Sequence, residues 1–352
     1  MAKIVALIFF SFPTLILSST FNSDSILKLI PKNFTGQVVI KQNEKFVFKE
    51  NFGLKERVFK TSINDSTVFN IGQVSHTIIS YIFEDLQNNG KIKSSAKVVD
   101  YINQFPYKNI QIKHLLEHQS GIPHFYVKLY HRKVYNNWNL KLSERQKRFK
   151  NEDILNILTK EKPTLKFTPG DSTAYSDINY LILTTLIEKI TKTSFEKYVK
   201  EIFLKKLHLQ PILSAEKDTI FNKAYGYRLL SDSSFQLCEN LKTRNLPFND
   251  GTYGNQHIYL SGSELATWGY FLLKKIKIDK INNQKNKETM GGFKFDKEMQ
   301  MVTKKGVFGG VSSRLHMFPK NQIVIVINCS VLNLNQNGDK LAPLMRYLTK
   351  FN

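Results

Sequence analysis

From Phe34 to Leu54 the chain reads FTGQVVIKQNEKFVFKENFGL, with apolar and polar residues alternating on either side of Asn43-Glu44. A period of two places successive side chains on opposite faces of a strand, so this stretch predicts two antiparallel strands joined by a turn. The period then changes. Between Gly72 and Asn88 the apolar residues Val74, Ile78, Ile79, Ile82, Phe83 and Leu86 recur at helical spacing, and Asn89-Gly90 supplies a C-terminal stop. This helix is expected to be largely buried. Ile112 to His118, Glu152 to Lys160, Asp177 to Thr191, Ser194 to Leu204 and Ser263 to Lys275 repeat the i, i+3, i+4 pattern, with Ser263 and Glu264 expected at the start of the last. Gly310 to His316 and Gln322 to Asn328 are strand-like runs around Pro319-Lys320-Asn321, a second hairpin, and Asp339 to Phe351 is amphipathic with helical period. Strands near both ends with helices between them predict an α+β fold. Its antiparallel sheet is drawn from about residues 33–56 and 293–330, with the C-terminal helix packed on it and a mostly helical region inserted over about 70–290.

The 352 residues, 41% hydrophobic and 23% charged, suffice for a substantial core and exclude a fibrous or disordered chain. One domain is expected over 21–352. Residues 1–20 have the layout of a signal peptide: Lys3, an apolar run from Ile4 to Leu17, then Ser18 and Ser19. That run is shorter than the roughly 20 residues that cross a bilayer. An exported protein, periplasmic or extracellular, is therefore expected. An uncleaved anchor is the alternative, because Leu17 is large where a cleavage site favours small residues. No cysteine follows the run to carry a lipid. The formal net charge of +22 is spread over the whole chain rather than gathered in a stripe, which argues against nucleic acid and leaves an anionic surface as a partner. The Lys/Asn-rich Lys274 to Lys287 reads as a solvated loop. Two cysteines, Cys238 and Cys329, are too few for a disulfide framework, and Cys329, ending an apolar strand, reads as a buried small hydrophobe.

Four further stretches stand in a telling order. They are Phe69-Asn70-Ile71-Gly72-Gln73-Val74-Ser75-His76-Thr77; His114-Leu115-Leu116-Glu117-His118-Gln119-Ser120-Gly121-Ile122; Phe167-Thr168-Pro169-Gly170 before Tyr175-Ser176-Asp177; and Lys304-Lys305-Gly306 with Gly310, Ser312 and Ser313. Together with the opening hairpin they resemble, over Phe34 to Asn328, the serine β-lactamase and penicillin-binding-protein-like hydrolases of the class C β-lactamase type. The corresponding family patterns are F-x-I-x-S-x-x-K, H-L-L-x-H-x-S-G-L, F-x-P-G before Y-S-N, and K/H-x-G with G-F-S-S. In that family a serine at a helix N-terminus attacks an acyl carbonyl. A lysine one turn later, about 5 to 6 Å away on the same face, helps remove its proton. A tyrosine relays protons, the K-x-G strand binds the substrate's carboxylate and backbone, and two backbone N–H groups form the oxyanion hole.

Carried over residue by residue, the resemblance makes Tyr175 the relay tyrosine, Lys304 the strand cation and Gly306 part of the binding strand. It also puts the N–H groups of Gln73 and Val307 at the oxyanion hole. Gln73 and His76, however, stand at the serine and lysine positions, and Asp177 stands where the family has asparagine. A carboxamide is no nucleophile, and an imidazole is mostly neutral near pH 7. The expectation is a pseudoenzyme whose cleft binds a peptide-like or acyl ligand, such as a D-amino-acid peptide or cell-wall fragment, with no cofactor. Asp177 would repel an anionic ligand or pair with Lys304. One alternative is an active hydrolase using Ser75, although two positions beyond Gln73 turn it about 200° around a helix. Another is a pure interaction module, with Tyr175 and Lys304 left as structural residues. Gln73, His76 and Asp177 offer too few ligands for a catalytic metal. His114, His118 and Ser120 are expected to fix a turn.

Overall fold

A computed structural model describes residues 21–124, 137, 139, 141, 150–214, 220–238, 251–275, 293–332 and 342–349. The signal-peptide reading of 1–20, and all but the first two residues of the Lys274 to Lys287 run, lie outside the described residues. Six strands form an antiparallel sheet: β1 (Gly36–Gln42), β2 (Lys45–Phe52), β3 (Lys294–Asp296), β4 (Met301–Phe308), β5 (Val311–Phe318) and β6 (Ile323–Cys329). Their order is β3-β4-β5-β6-β1-β2, so the two ends of the chain meet where β1 pairs with β6, Gly36 opposite Cys329. The first hairpin turns at Asn43 and Glu44, whose φ values of 46° and 71° suit a two-residue turn with both central residues left-handed.

The described helices are α1 (Ser23–Leu29), α2 (Ser75–Asn88), α3 (Ile112–Leu116), α4 (Asn151–Glu161), α5 (Asp177–Thr191), α6 (Phe195–Leu207), α7 (Gly262–Leu273) and α8 (Ala342–Thr349). Alternation along β6 divides the core. Ile323, Ile325 and Ile327 pack with Ile26 and Ile30 around α1 and with Leu344, Met345 and Leu348 of α8. Val324 and Val326 face the opposite side, with Trp268 of α7 and the buried faces of α2, α5 and α6. Central strands are thus apolar on both faces, whereas the edge strand β2 buries only Phe48. Full burial of a Val or Ile side chain contributes about 1.5–3 kcal/mol, so these two layers dominate stability.

Helix α7 corrects one expectation. Its N-cap is Ser261, not Ser263: the Ser261 hydroxyl accepts from the Glu264 N–H (3.3 Å), and the Glu264 carboxylate accepts from the Ser261 N–H (2.8 Å). This is a capping box with S-x-x-E spacing. Helix α3 also stops earlier than expected, at Leu116, because His118 enters the left-handed region (φ 55°). No disulfide joins Cys238 and Cys329; Cys329 is half-buried as a residue, with its sulfur turned inward to donate to the Val331 carbonyl at 3.1 Å. A short antiparallel ladder of Ile212–Leu213, Ile258–Leu260 and Phe69–Asn70 pins the chain just before α2, which fixes where that helix begins.

Candidate functional site

The site lies where the start of α2 meets β4. A 3-10 turn, Gly72–Val74, leads into α2 and lies against the backbone of β4. Two glycines permit that contact. Gly72 has φ +52° and a Cβ there would lie 2.8 Å from the Val307 nitrogen; a Cβ on Gly306 would lie 2.1 Å from the Ile71 oxygen. Strand β3 pairs with β4 only through Met301 to Thr303, so from Lys304 onward the outer edge of β4 faces this turn.

Gln73 turns its side chain across the gap, and its Oε1 accepts the Val307 N–H at 2.8 Å. The strand donor expected at the oxyanion hole is therefore occupied by the chain's own carboxamide. Ser75 points elsewhere: it is fully buried and its hydroxyl donates to the Gly254 carbonyl at 2.7 Å.

His76 is fully buried, its ring stacked on Tyr180 with centroids 3.6 Å apart and planes within 3°. Its tautomer follows from its neighbours. Asn255 Nδ2 donates to the Asp177 carbonyl at 3.0 Å, which leaves Asn255 Oδ1 to accept from His76 Nε2–H at 2.6 Å. His76 Nδ1 then accepts from the Lys304 ammonium at 3.5 Å. Burial first, then the charge of Lys304 and the nearness of His118, hold the His76 pKa well below its ordinary value, so the ring is neutral. Lys304 itself is buried.

Tyr175 is half-exposed at the mouth, 6.2 Å from the His76 ring and 4.7 Å from that of His118. The His118 Nδ1 accepts from the Ser176 N–H (3.3 Å) and from Asn179 Nδ2 (3.2 Å), and Asn179 Oδ1 accepts from the Ser120 hydroxyl (2.6 Å). His114 Nδ1 accepts from the Gln111 N–H at 3.2 Å. These contacts fix the turn after α3, but His118 also lines the site. Burial, and next the Lys304 charge, push its pKa down to about 3.

Asp177, the first residue of α5, pairs with His124: Oδ1 lies 2.9 Å from Nδ1. A carboxylate at a helix N-terminus is also favoured by the helix dipole. His124, Asn255 and Tyr180 were not singled out from sequence. Tyr180 lies within an apolar helical pattern, while His124 and Asn255 sit in loops whose only local signals are turn residues. Among the described residues no group of three or more His, Cys, Asp or Glu side chains is arranged to hold a metal ion.

Comparison with known proteins agrees with this architecture. Residues 32–233 match the β-lactamase family model. A penicillin-binding protein of Bacillus subtilis (strain 168) is 24% identical over 257 residues, which cover 71% of this chain and 55% of that protein. The chain spans little more than half the length of the curated relatives it matches. Among solved structures, FmtA from Staphylococcus aureus superposes with a TM-score of 0.73 at 20% identity, covering 95% of this chain and 92% of FmtA. A D-stereospecific amidohydrolase from Streptomyces sp. gives a TM-score of 0.64 at 15% identity, covering 88% and 94%. At such identities the structural likeness establishes the β-lactamase/transpeptidase-like fold. The family match covers more than half of the sequence, and the chain belongs to the β-lactamase family.

Proposed function

We propose that the chain is a catalytically inactive member of this family that holds a peptide-like or acyl ligand, such as a D-amino-acid peptide or cell-wall fragment, in the retained cleft. One observation carries the reading: Gln73 Oε1 sits on the Val307 N–H, where the oxygen of an acyl substrate would accept. Residue 73 offers no nucleophile. His76, neutral and with both ring nitrogens engaged, is poorly placed to serve as a base. Lys304, Tyr175 and the outer edge of β4 supply a cation, a hydroxyl and backbone groups for a ligand. The likeness to a D-stereospecific amidohydrolase supports that ligand class. Export directed by residues 1–20 would bring the cleft to such ligands. The reading with Ser75 as nucleophile has its hydroxyl's burial and its bond to Gly254 against it.

The test is intact-protein mass spectrometry after exposure to a fluorophosphonate and, separately, to penicillin. The native chain is expected to gain no mass, while Gln73→Ser/His76→Lys, which restores both the nucleophile and its base, gains a covalent adduct. A serine adduct on the native chain overturns inactivity. Ligand binding is tested separately, by the thermal shift on adding an N-acyl-D-alanyl-D-alanine peptide. Lys304→Ala is expected to weaken binding by about 1.5–3 kcal/mol, the worth of a hydrogen bond to a charged group. No response from the native chain would remove the ligand and favour a protein-interaction role.

A further inference from the structure

Away from the cleft, Leu54–Glu56 and Thr61–Ser62 form a small antiparallel hairpin with Arg57-Val58-Phe59-Lys60 at its tip. The tip is held firmly. The Glu56 carboxylate accepts from the N–H groups of Val58 (2.8 Å) and Phe59 (2.6 Å), and the Arg57 N–H donates to the Tyr227 hydroxyl at 3.0 Å. Even so, Val58 is 78% and Phe59 84% exposed. Beside it, the Tyr225 N–H donates to the Lys55 carbonyl at 2.9 Å and the Lys55 ammonium donates to Asn222 Oδ1. These bonds bring Phe221, 91% exposed, next to the hairpin. The Arg57 guanidinium lies 3.4 Å above the ring of Phe235, itself 41% exposed. Large apolar side chains thus project from three neighbouring segments whose backbones are tied down, so their exposure is built in.

Cations surround them. With the buried Lys223 set aside, Lys55, Arg57, Lys60 and Arg228 still outnumber Glu56 and Asp232 in residues 55–60 and 220–237, and Glu56 spends its carboxylate on the hairpin's own backbone. No described carboxylate pairs with Arg57, whose neighbours are the rings of Phe235 and Tyr227. A protein partner is the poorer match, because the core of a protein interface is closely packed and depleted of lysine, and Lys55 and Lys60 flank these tips. Here cations stand between apolar tips that project singly instead of lining a groove. Acyl chains beneath a layer of phosphates offer the complementary surface. We infer that this face docks peripherally on an anionic lipid bilayer, Phe59 and Phe221 entering the headgroup boundary and the surrounding cations meeting phosphates. Among the described residues no helix is long and apolar enough to cross a membrane. The chain's net charge of +22 would strengthen the approach.

The test is co-sedimentation of the purified full chain with vesicles of phosphatidylcholine alone, or of phosphatidylcholine mixed with phosphatidylglycerol. Binding is expected to the mixed vesicles and to be far weaker to the neutral ones. Phe59→Ser/Phe221→Ser changes only exposed side chains, a thermal melt checks that it is folded, and it should lower partitioning about 100-fold, tenfold for each ring. Arg57→Ala/Lys60→Ala should lower it by more than Lys205→Ala/Lys206→Ala, which removes the same charge from α6. The inference is overturned if the native chain binds neither vesicle. It also fails if the phenylalanine substitutions leave binding unchanged, or if the two pairs of charge substitutions act alike.

Discussion

The two walls of the site differ in what they keep of the family's residues. The strand wall, Lys304 to Val307, keeps the residue types that resemble the family, whereas the helix wall has Gln73 and His76 where the family has its nucleophile and base. Yet the altered wall is no less well bonded. Gln73 bonds to Val307, and His76 is held by Asn255, Lys304 and the face of Tyr180. The contrast teaches that the cradle is maintained by backbone approach and packing, and that reactive side chains can be exchanged within it if the newcomers find partners.

The strongest way to break the comparison is to separate the walls. In Gly306→Ala the added methyl would lie 2.1 Å from the Ile71 oxygen and 2.7 Å from the Gln73 nitrogen, both backbone atoms with little room to yield. The expected loss is about 3–5 kcal/mol of unfolding free energy in urea, in the range of severe overpacking. A loss under about 1 kcal/mol would mean that the walls part easily and that their contact does not hold the site.

A second effect couples the walls through charge. His76 and His118 are buried and neutral in the folded chain, and the Lys304 charge is the second cause of depression for each after burial. Both protonate near about pH 6.5 once unfolded. Below that pH the unfolded chain binds more protons than the folded one, so stability falls as pH falls. Each histidine contributes at most about 1.4 kcal/mol per pH unit, and the loss from His118 continues until its folded pKa of about 3. Urea titrations at successive pH values should show this decline. Lys304→Met should make it level off at a higher pH, because both folded pKa values rise. An unaltered profile would show that the strand wall's charge does not reach the helix wall.

Sequence foretold the regular parts because their signals are local. Asp177 to Thr191 was bounded correctly by its apolar spacing, and Asn43-Glu44 marked the hairpin turn. Helix α7 shows the limit even there: of two nearby serines, only Ser261 stands three positions before Glu264, as the capping box requires. The site was legible as a set of positions but not as a set of bonds. His76 and Asn255 are 179 positions apart, Gln73 and Val307 are 234 apart, and nothing local reports such pairings. The same holds for Asp177, expected to act on a ligand or on Lys304, whose carboxylate meets His124 across 53 positions. Nor did periodicity mark Phe59 and Phe221, since an exposed aromatic residue in a turn follows no period.

The smallest effect sharpens the comparison most. Gln73→Ala removes the acceptor on the Val307 N–H and leaves the backbone of both walls in place. The bond lies at an exposed edge, so water can replace it, and the cost should sit at the lower end of the 0.5–1.5 kcal/mol typical of a net hydrogen bond, about 0.5 kcal/mol. The Val307 amide is the direct readout: its proton should exchange faster with solvent and its NMR resonance should move, while the amides of β5 and β6 stay as they were. A large loss of stability would make Gln73 a structural clasp between the walls. No change at Val307 would mean that the carboxamide does not occupy the strand donor in solution, and the oxyanion hole would then be open for an acyl oxygen.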